Sequence, residues 1–314
     1  MGYKKLFPNR SLRIKLIQLF NFIPDVTMVR LQYLIKTGRI LNLKHPKRFT
    51  EKLQYYKLFY RDQLMKQCTD KYDVRDYVAK KNYSSILNEC YGVYDKIEDI
   101  DFEILPKSFV LKDTLGGGGN SVIIVTDKTK MDYNRIYRQM SSWLNEPVNK
   151  KNPGREWVYD GMKHRIIIEK YIESDFEKGG LIDYKFFCSY GEIKFLYVIA
   201  DRQLGGKAGL GIYNIDFEKF AVNRADELPL ERNILKPGNY QDLIKVATDL
   251  SEPFPEARID LYNENGKITF GEITFFDGSG YMTFEPDEYD ETFGDMFIFK
   301  ESEYWIKGSC NKKS

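Results

Sequence analysis

The chain has 314 residues, of which 42% are hydrophobic, 30% charged and 15% aromatic, a composition that excludes a disordered, collagenous or linker-like polymer. It contains no run of about 18 apolar residues, so a spanning helix is not expected. The formal net charge of +2 conceals a division: residues 1–48 hold eleven Lys or Arg against one acid, Asp25, and so carry +10, whereas the remaining 37 basic and 45 acidic residues carry −8.

A front end this basic predicts contact with something anionic, an anionic membrane or an acidic polysaccharide; no nucleic-acid motif accompanies the charge. Leu12, Leu16, Leu19 and Phe20 repeat at helical spacing beside Arg10, Arg13 and Lys15. A second helix is expected over residues 27–37, carrying Val29, Leu31, Leu34 and Ile35. Such helices either lie on an anionic surface or pack on the acidic body of the same protein. From 50 to 80 the pattern is helical, with Leu53, Tyr56, Leu58, Phe59, Leu64, Tyr72, Val74 and Val78 three or four apart in its runs, and Thr69 or Asp70 is expected to cap a helix running towards Lys80.

Strands are expected next. Residues 108–112 and 121–125 read as a hairpin with a glycine-rich connection. A helix over 133–144 leads to a strand over 165–169. Residues 183–189 and 194–201 pair about Tyr190-Gly191-Glu192, and 205–211 read as a mobile loop. A helix over 241–251 precedes a last pair, 257–262 and 267–273, joined by Asn263-Glu264-Asn265-Gly266. The class is mixed α and β with mainly antiparallel pairs. Cys68, Cys90, Cys188 and Cys310 form no CxxC motif and are too sparse for a disulfide framework, which predicts a cytoplasmic location, with the inner membrane surface as the place of any peripheral contact.

GxxxxGK[ST], GxGxxG opening a helix and HExxH are all absent, and the two histidines, His45 and His164, disfavour a Ser-His or Cys-His mechanism. Acids, lysines and glycines remain. Lys112 ends a strand and is followed by Gly116, Gly117, Gly118, Gly119 and Asn120, a loop whose backbone N–H groups can surround phosphate oxygens with the lysine charge at its root. An apolar strand, Ile166-Ile167-Ile168, ends in Glu169, Lys170, Tyr171 and Ile172, and such an exit can hold an adenine or be an ordinary buried strand end. Alternation puts Arg258, Asp260 and Tyr262 on one face of a strand, and Glu272 and Thr274 on one face of the next. If those faces coincide, two carboxylates and a hydroxyl converge as hard ligands suited to Mg²⁺ shared with nucleotide phosphates, with Arg258 beside them; the alternative is a solvated surface hairpin.

The order of these segments resembles the ATP-grasp fold and, more narrowly, the TupA-like (teichuronopeptide biosynthesis) family of bacterial surface-polysaccharide proteins. The similarity spans roughly residues 40–300. It runs through Leu41-Asn42-Leu43-Lys44-His45-Pro46-Lys47-Arg48-Phe49-Thr50-Glu51-Lys52-Leu53 and Asp70-Lys71-Tyr72-Asp73-Val74-Arg75-Asp76-Tyr77-Val78, then Phe109-Val110-Leu111-Lys112 and Gly271-Glu272-Ile273-Thr274-Phe275. The resemblance implies an α+β (α/β) ATP-grasp fold with antiparallel sheets, preceded by a helical N-terminal region. It divides the chain into a basic helical part (1–65), a pre-grasp part (66–105), a small lobe with the glycine loop (106–172), a large lobe with the metal site (173–305) and a tail (306–314).

It also implies ATP and Mg²⁺ as cofactors of a carboxylate–amine ligase in surface or capsular polysaccharide assembly. Carried over by position, Lys112 and Lys185 would contact the phosphates, Glu169 to Ile172 the adenine and Asp183 the ribose. Asp260, Glu272 and Thr274 would hold the metal, and Arg258 and Arg202 would face the acyl phosphate. Thr274 stands where ATP-grasp sites commonly have Asn, and Leu115 precedes the glycines where the family often has His-Gly-Ser-Gly. A glycosyltransferase using a nucleotide-sugar, or a non-catalytic nucleotide-binding scaffold, are the alternatives.

Overall fold

The structure, a computed structural model, describes residues 20–117, 121–175, 177, 179–202 and 208–306. The amphipathic pattern ahead of Phe20, the glycine-loop residues Gly118, Gly119 and Asn120, Cys310 and the tail beyond residue 306 lie outside the described residues.

Four helices come first: α1 (Asp25–Thr37), α2 (Phe49–Phe59), α3 (Leu64–Thr69) and α4 (Val74–Lys80). The helical pattern over 50–80 is therefore broken twice, although its apolar periodicity persists. Asp62 accepts the N–H of Leu64 at 2.9 Å, and Asp70 accepts those of Tyr72 and Asp73 at 2.8 and 3.0 Å. Short acids that hold local backbone donors compete with helix propagation. Asp70 thus caps a turn ahead of α4 rather than opening a helix itself.

The smaller sheet contains β1 (Cys90–Tyr94), β2 (Phe109–Asp113), β3 (Val122–Val125) and β4 (Ile166–Lys170) in the order β1-β4-β2-β3, all antiparallel. Helix α5 (Tyr133–Leu144) is started by Asp132, whose side chain accepts from the Arg135 N–H. Its Ile136, Met140 and Trp143, three or four apart, are buried with Phe109, Leu111, Ile166 and Ile168. Alternation then sends Lys112 and Glu169 to the opposite face of the sheet.

The larger sheet contains β5 (Asp183–Ser189), β6 (Glu192–Ala200), β7 (Gly209–Tyr213), β9 (Leu228–Pro229), β10 (Ala257–Glu264) and β11 (Lys267–Thr274), ordered β11-β10-β5-β6-β7-β9 and antiparallel except at β7–β9. A small pair, β8 (Asn223–Arg224) with β12 (Phe284–Glu285), and helices α6 (Tyr240–Ser251) and α7 (Glu288–Asp295) complete it. The expected loop over 205–211 ends in β7, whose glycines disguise a strand. A Cβ on Gly209 would lie 3.0 Å from the Leu230 backbone, so a residue without one allows the close approach to β9.

Tyr184, Phe186 and Cys188 of β5 pack with Leu243, Val246, Ala247 and Leu250 of α6. Phe187, Phe195 and Tyr197 face the other way, joining Phe49 and Leu53 of α2 and Phe293 of α7. Asp183 and Lys185 share the register of Phe187, so the site lies on the α2 side of the sheet. Among the described residues no helix is long and apolar enough to cross a membrane.

Candidate active site

Strand β10 lies between β5 and β11, and its Asp260 is opposite Lys185 on one side and Glu272 on the other. Two residues along, Arg258 is opposite Thr274. The two faces that alternation left open therefore coincide. Burial decides between a solvated hairpin and a site: Asp260 and Asp183 are 1% and 2% exposed and Arg258 is 8% exposed.

Arg258 gathers the cluster. Its Nε and Nη2 each donate to Asp260 at 2.7 Å, and Nη2 also reaches Glu272 at 3.1 Å and the Thr274 hydroxyl at 3.0 Å. Nη1 donates to Asp277. Lys185 Nζ donates to Asp260 and lies 2.7 Å from Asp183 Oδ2, with Arg202 3.8 Å from the same oxygen. Burial works against the Lys185 charge, but Asp183 and Asp260 outweigh it and raise its pKa above the ordinary lysine value. Burial pushes the Asp260 carboxyl up to about 6 against the pull of Arg258 and Lys185. At Glu272 burial raises the pKa too, yet Lys71, Arg258, Lys185 and Lys112 prevail and hold it at about 2.

The glycine loop and its root form a second group. Lys112 Nζ donates to Glu169 at 2.7 Å, and Arg75 approaches the other Glu169 oxygen at 3.3 Å. Lys71 donates to the Gly116 carbonyl and lies 3.6 Å from Glu272, linking this group to the first. Gly116 is packed too closely for a side chain, because a Cβ there would be 2.2 Å from Ser121 Cβ, whereas Gly117 faces open space. At the loop's base His164 Nδ1 meets both Asp113 oxygens at 2.9 Å.

Several of these partners escaped the sequence reading. Lys71 and Arg75 lay in a stretch marked by its similarity but without an assigned role. Asp277 follows Thr274 by three positions in a glycine-rich turn, Asp277-Gly278-Ser279-Gly280, and nothing local distinguishes it. Arg224 comes from β8 and donates to Asp277 at 3.0 Å; its distance of 53 positions in sequence hides that contact.

The donor chemistry fits a magnesium nucleotide. Glu272 is the accessible carboxylate, its side chain 35% exposed, and it shares Arg258 with the Thr274 hydroxyl. Asp183 Oδ1 is buried without a hydrogen-bond partner, an acceptor suited to a ligand hydroxyl. Among the described residues no three His, Cys, Asp or Glu side chains come together as a metal site; the oxygens that the β10–β11 pairing brings to one face are the Asp260 and Glu272 carboxylates and the Thr274 hydroxyl. Both Asp260 oxygens are held by Arg258 and Lys185.

No curated protein matches this chain. Solved structures that it is similar to include the D-alanine–D-alanine ligase from Bacillus anthracis, at 17% identity and a TM-score of 0.43, with 73% of this chain and 66% of that one covered. The L-amino acid ligase from Bacillus licheniformis is 16% identical with a TM-score of 0.42, covering 68% and 44%. An N5-carboxyaminoimidazole ribonucleotide synthetase in its ADP complex is 13% identical with a TM-score of 0.40, covering 68% and 46%. The chain thus spans less than two thirds of the length of each. A family model described as TupA-like ATPgrasp matches residues 51–298, a span that takes in both the glycine-loop group and the Arg258 cluster, and this chain belongs to the TupA-like ATP-grasp family.

Proposed function

We propose that this chain is an ATP-dependent, Mg²⁺-requiring carboxylate–amine ligase of bacterial surface-polysaccharide assembly, joining a uronic-acid carboxyl to an amino acid or amino sugar and releasing ADP and phosphate. The observation that carries the reading is the row Lys185–Asp260–Glu272 across three strands, tied together by the buried Arg258. A carboxylate does not react with an amine until one of its oxygens becomes a leaving group. Phosphoryl transfer from ATP makes that oxygen part of an acyl phosphate; the amine then attacks the carbonyl carbon and phosphate departs. Such chemistry asks for positioning and charge neutralisation rather than a nucleophilic side chain, and the cluster consists of acids, lysine, arginine and a hydroxyl.

In this reading Lys112 and Lys185 hold the phosphates with the loop amide of Gly117, the Gly116 N–H being held by the Asp113 carbonyl at 3.1 Å, and Glu169, Lys170, Tyr171 and Ile172 line the adenine. Asp183 accepts from the ribose. Glu272 and Thr274 would hold the Mg²⁺, joined by Asp260 once Lys185 turns from it to the phosphates, and the bound ion would offset phosphate charge. Arg258, with Arg202, faces the negative charge that develops on the acyl phosphate, and Asp277 keeps its guanidinium aimed there. Lys185 neutralises Asp183 and Asp260 in the free chain, so nucleotide binding requires it to share its charge with the phosphates.

The test is ADP release from Mg·ATP with panels of uronic acids and amines. Release that needs both co-substrates is expected, falling at least about 10²-fold in Glu272→Gln and Asp260→Asn. Turnover that survives both substitutions overturns the metal assignment. Stabilisation by UDP-sugars and not by ATP in thermal melts points instead to a glycosyltransferase. Tight ATP binding without turnover in any mixture points to a scaffold.

A further inference from the structure

Helix α1 turns apolar side chains to two opposite sides. Met28, Val29, Gln32 and Tyr33 are buried. At 100° per residue the opposite arc holds Thr27, Arg30, Leu31 and Leu34, with Ile35 at its edge, and Leu31, Leu34 and Ile35 are 46%, 46% and 57% exposed. Phe20 and Phe22 ahead of the helix and Ile40 after it are exposed as well, Phe22 and Ile40 by more than four fifths. Single exposed hydrophobics need no account, but six large ones between residues 20 and 40 mark an interface.

Charge indicates what covers that interface. Residues 20–48 carry Arg30, Lys36, Arg39, Lys44, Lys47 and Arg48 against Asp25 alone; Arg39 and Arg48 pair with Asp287, Asp290 and Glu291, and the basic side chains outside those pairs are Arg30, Lys36, Lys44 and Lys47. Asp25 is engaged by Lys151 at 2.6 Å and Arg155 at 3.0 Å. Residues 1–19 add Lys4, Lys5, Arg10, Arg13 and Lys15 and no acid. Like charge disfavours covering α1 with the same face of a second copy. A soluble acidic polymer meets the charge but leaves Leu31, Leu34 and Ile35 in water. An anionic bilayer meets both needs, with headgroups for the Lys and Arg side chains and the acyl boundary for the apolar ones.

We infer that the outer face of α1 with its flanks is a peripheral membrane-contact surface that seats the chain on a bilayer rich in anionic lipid. This inference stands apart from the ligase reading and does not depend on it.

Flotation of the full-length chain with vesicles tests it. Binding is expected to vesicles containing phosphatidylglycerol but not to pure phosphatidylcholine, weakening at high salt. The double substitution Leu34→Glu and Ile35→Glu is expected to cut the floated fraction at least about tenfold, with a cooperative thermal melt retained, since both side chains are about half exposed. Three results overturn the inference: no flotation, flotation unaffected by the double substitution, or retention on dextran sulfate without binding to vesicles. So does a dimer in sedimentation velocity that the double substitution dissociates, since the face then serves a second copy. In a Leu34→Trp chain, added emission already blue-shifted without vesicles and unchanged by them shows the face covered by the chain itself, which also overturns it.

Discussion

Arg258 is buried, and burial alone would work against its charge; the carboxylates of Asp260, Asp277 and Glu272 more than offset that and hold it firmly protonated. Asp277 divides its two oxygens between Arg258 and Arg224, so Arg224 reaches the site only through Asp277 and acts as a positioning residue. Removing Arg224 strips the buried Asp277 of one of its two cations and leaves it with Arg258 alone. Arg224→Met is therefore expected to lower stability in urea unfolding by about 1–3 kcal/mol, and to reduce ADP release through kcat more than through the KM for ATP. An Arg224→Met chain of unchanged stability contradicts this account. Glu272 gives a second expectation. Its folded pKa of about 2 lies below its ordinary 4.5, so its contribution is present above about pH 4.5 and is lost as the pH falls towards 2. Melting temperatures should drop through that window, less steeply in Glu272→Gln. At this scale the sequence disclosed Arg258, Asp260, Glu272 and Thr274 because one hairpin carries them and strand alternation fixes their side. It could not disclose Lys71, Asp277 or Arg224, whose roles come from proximity between distant segments.

Helix α2 supports the turn that bears Asp277. Gln54 donates to the carbonyls of Ser279 and Gly280 at 2.9 and 2.7 Å, and Lys57 Nζ donates to Ser279 O at 3.0 Å while lying 4.6 Å above the Tyr281 ring. The turn needs such support, because Ser279 has a φ of +56°, a conformation costly for a residue with a Cβ. Full burial lowers the Lys57 pKa to about 7, with Glu156 opposing. The unfolded chain, with lysine near 10.5, then binds more protons than the folded one between about pH 7 and 10.5, and stability rises with pH across that window. Urea unfolding at pH 7 and pH 9 should show the rise, and Lys57→Met should flatten it; an equal rise in the variant assigns it to other groups. None of this was legible in the pattern of α2, where Lys57 reads as an ordinary polar position. The elements themselves were legible wherever periodicity was unbroken, as in α5, α6 and the β10–β11 hairpin. They were misread where side chains override it: at Asp62, which adds a break to a helical pattern that the cap expected at Thr69 or Asp70 already divided, and at Gly209, which hides a strand next to the edge of the larger sheet.

Across the whole molecule, the two sheets share no strand, and the segment from Asp70 to Tyr83 braces one against the other. Asp70 and Asp73 hold Arg165 at the start of β4, each at 2.9 Å, and the Lys71 N–H donates to the Thr114 carbonyl. On the other side Tyr77 donates to the Leu250 carbonyl of α6 at 2.8 Å, and Tyr83 bonds Asp249. Lys71 is the point where this brace meets both halves of the candidate site, since it contacts the Gly116 carbonyl in one and Glu272 in the other. A hydrogen bond to a charged group contributes about 1.5–3 kcal/mol, so losing the Lys71 link should weaken binding of the non-hydrolysable analogue Mg·AMP-PNP by at least about tenfold. Lys71→Met should also speed amide hydrogen exchange over residues 111–117 while leaving α6 protected, because α6 is held by the apolar core and by Tyr77 and Tyr83 rather than by Lys71. Lys71→Arg, which keeps the charge, should recover part of both effects. Exchange that accelerates equally in α6 and in the glycine loop shows Lys71 stabilising the fold as a whole, and the brace then has no separate part in holding the loop over the acids.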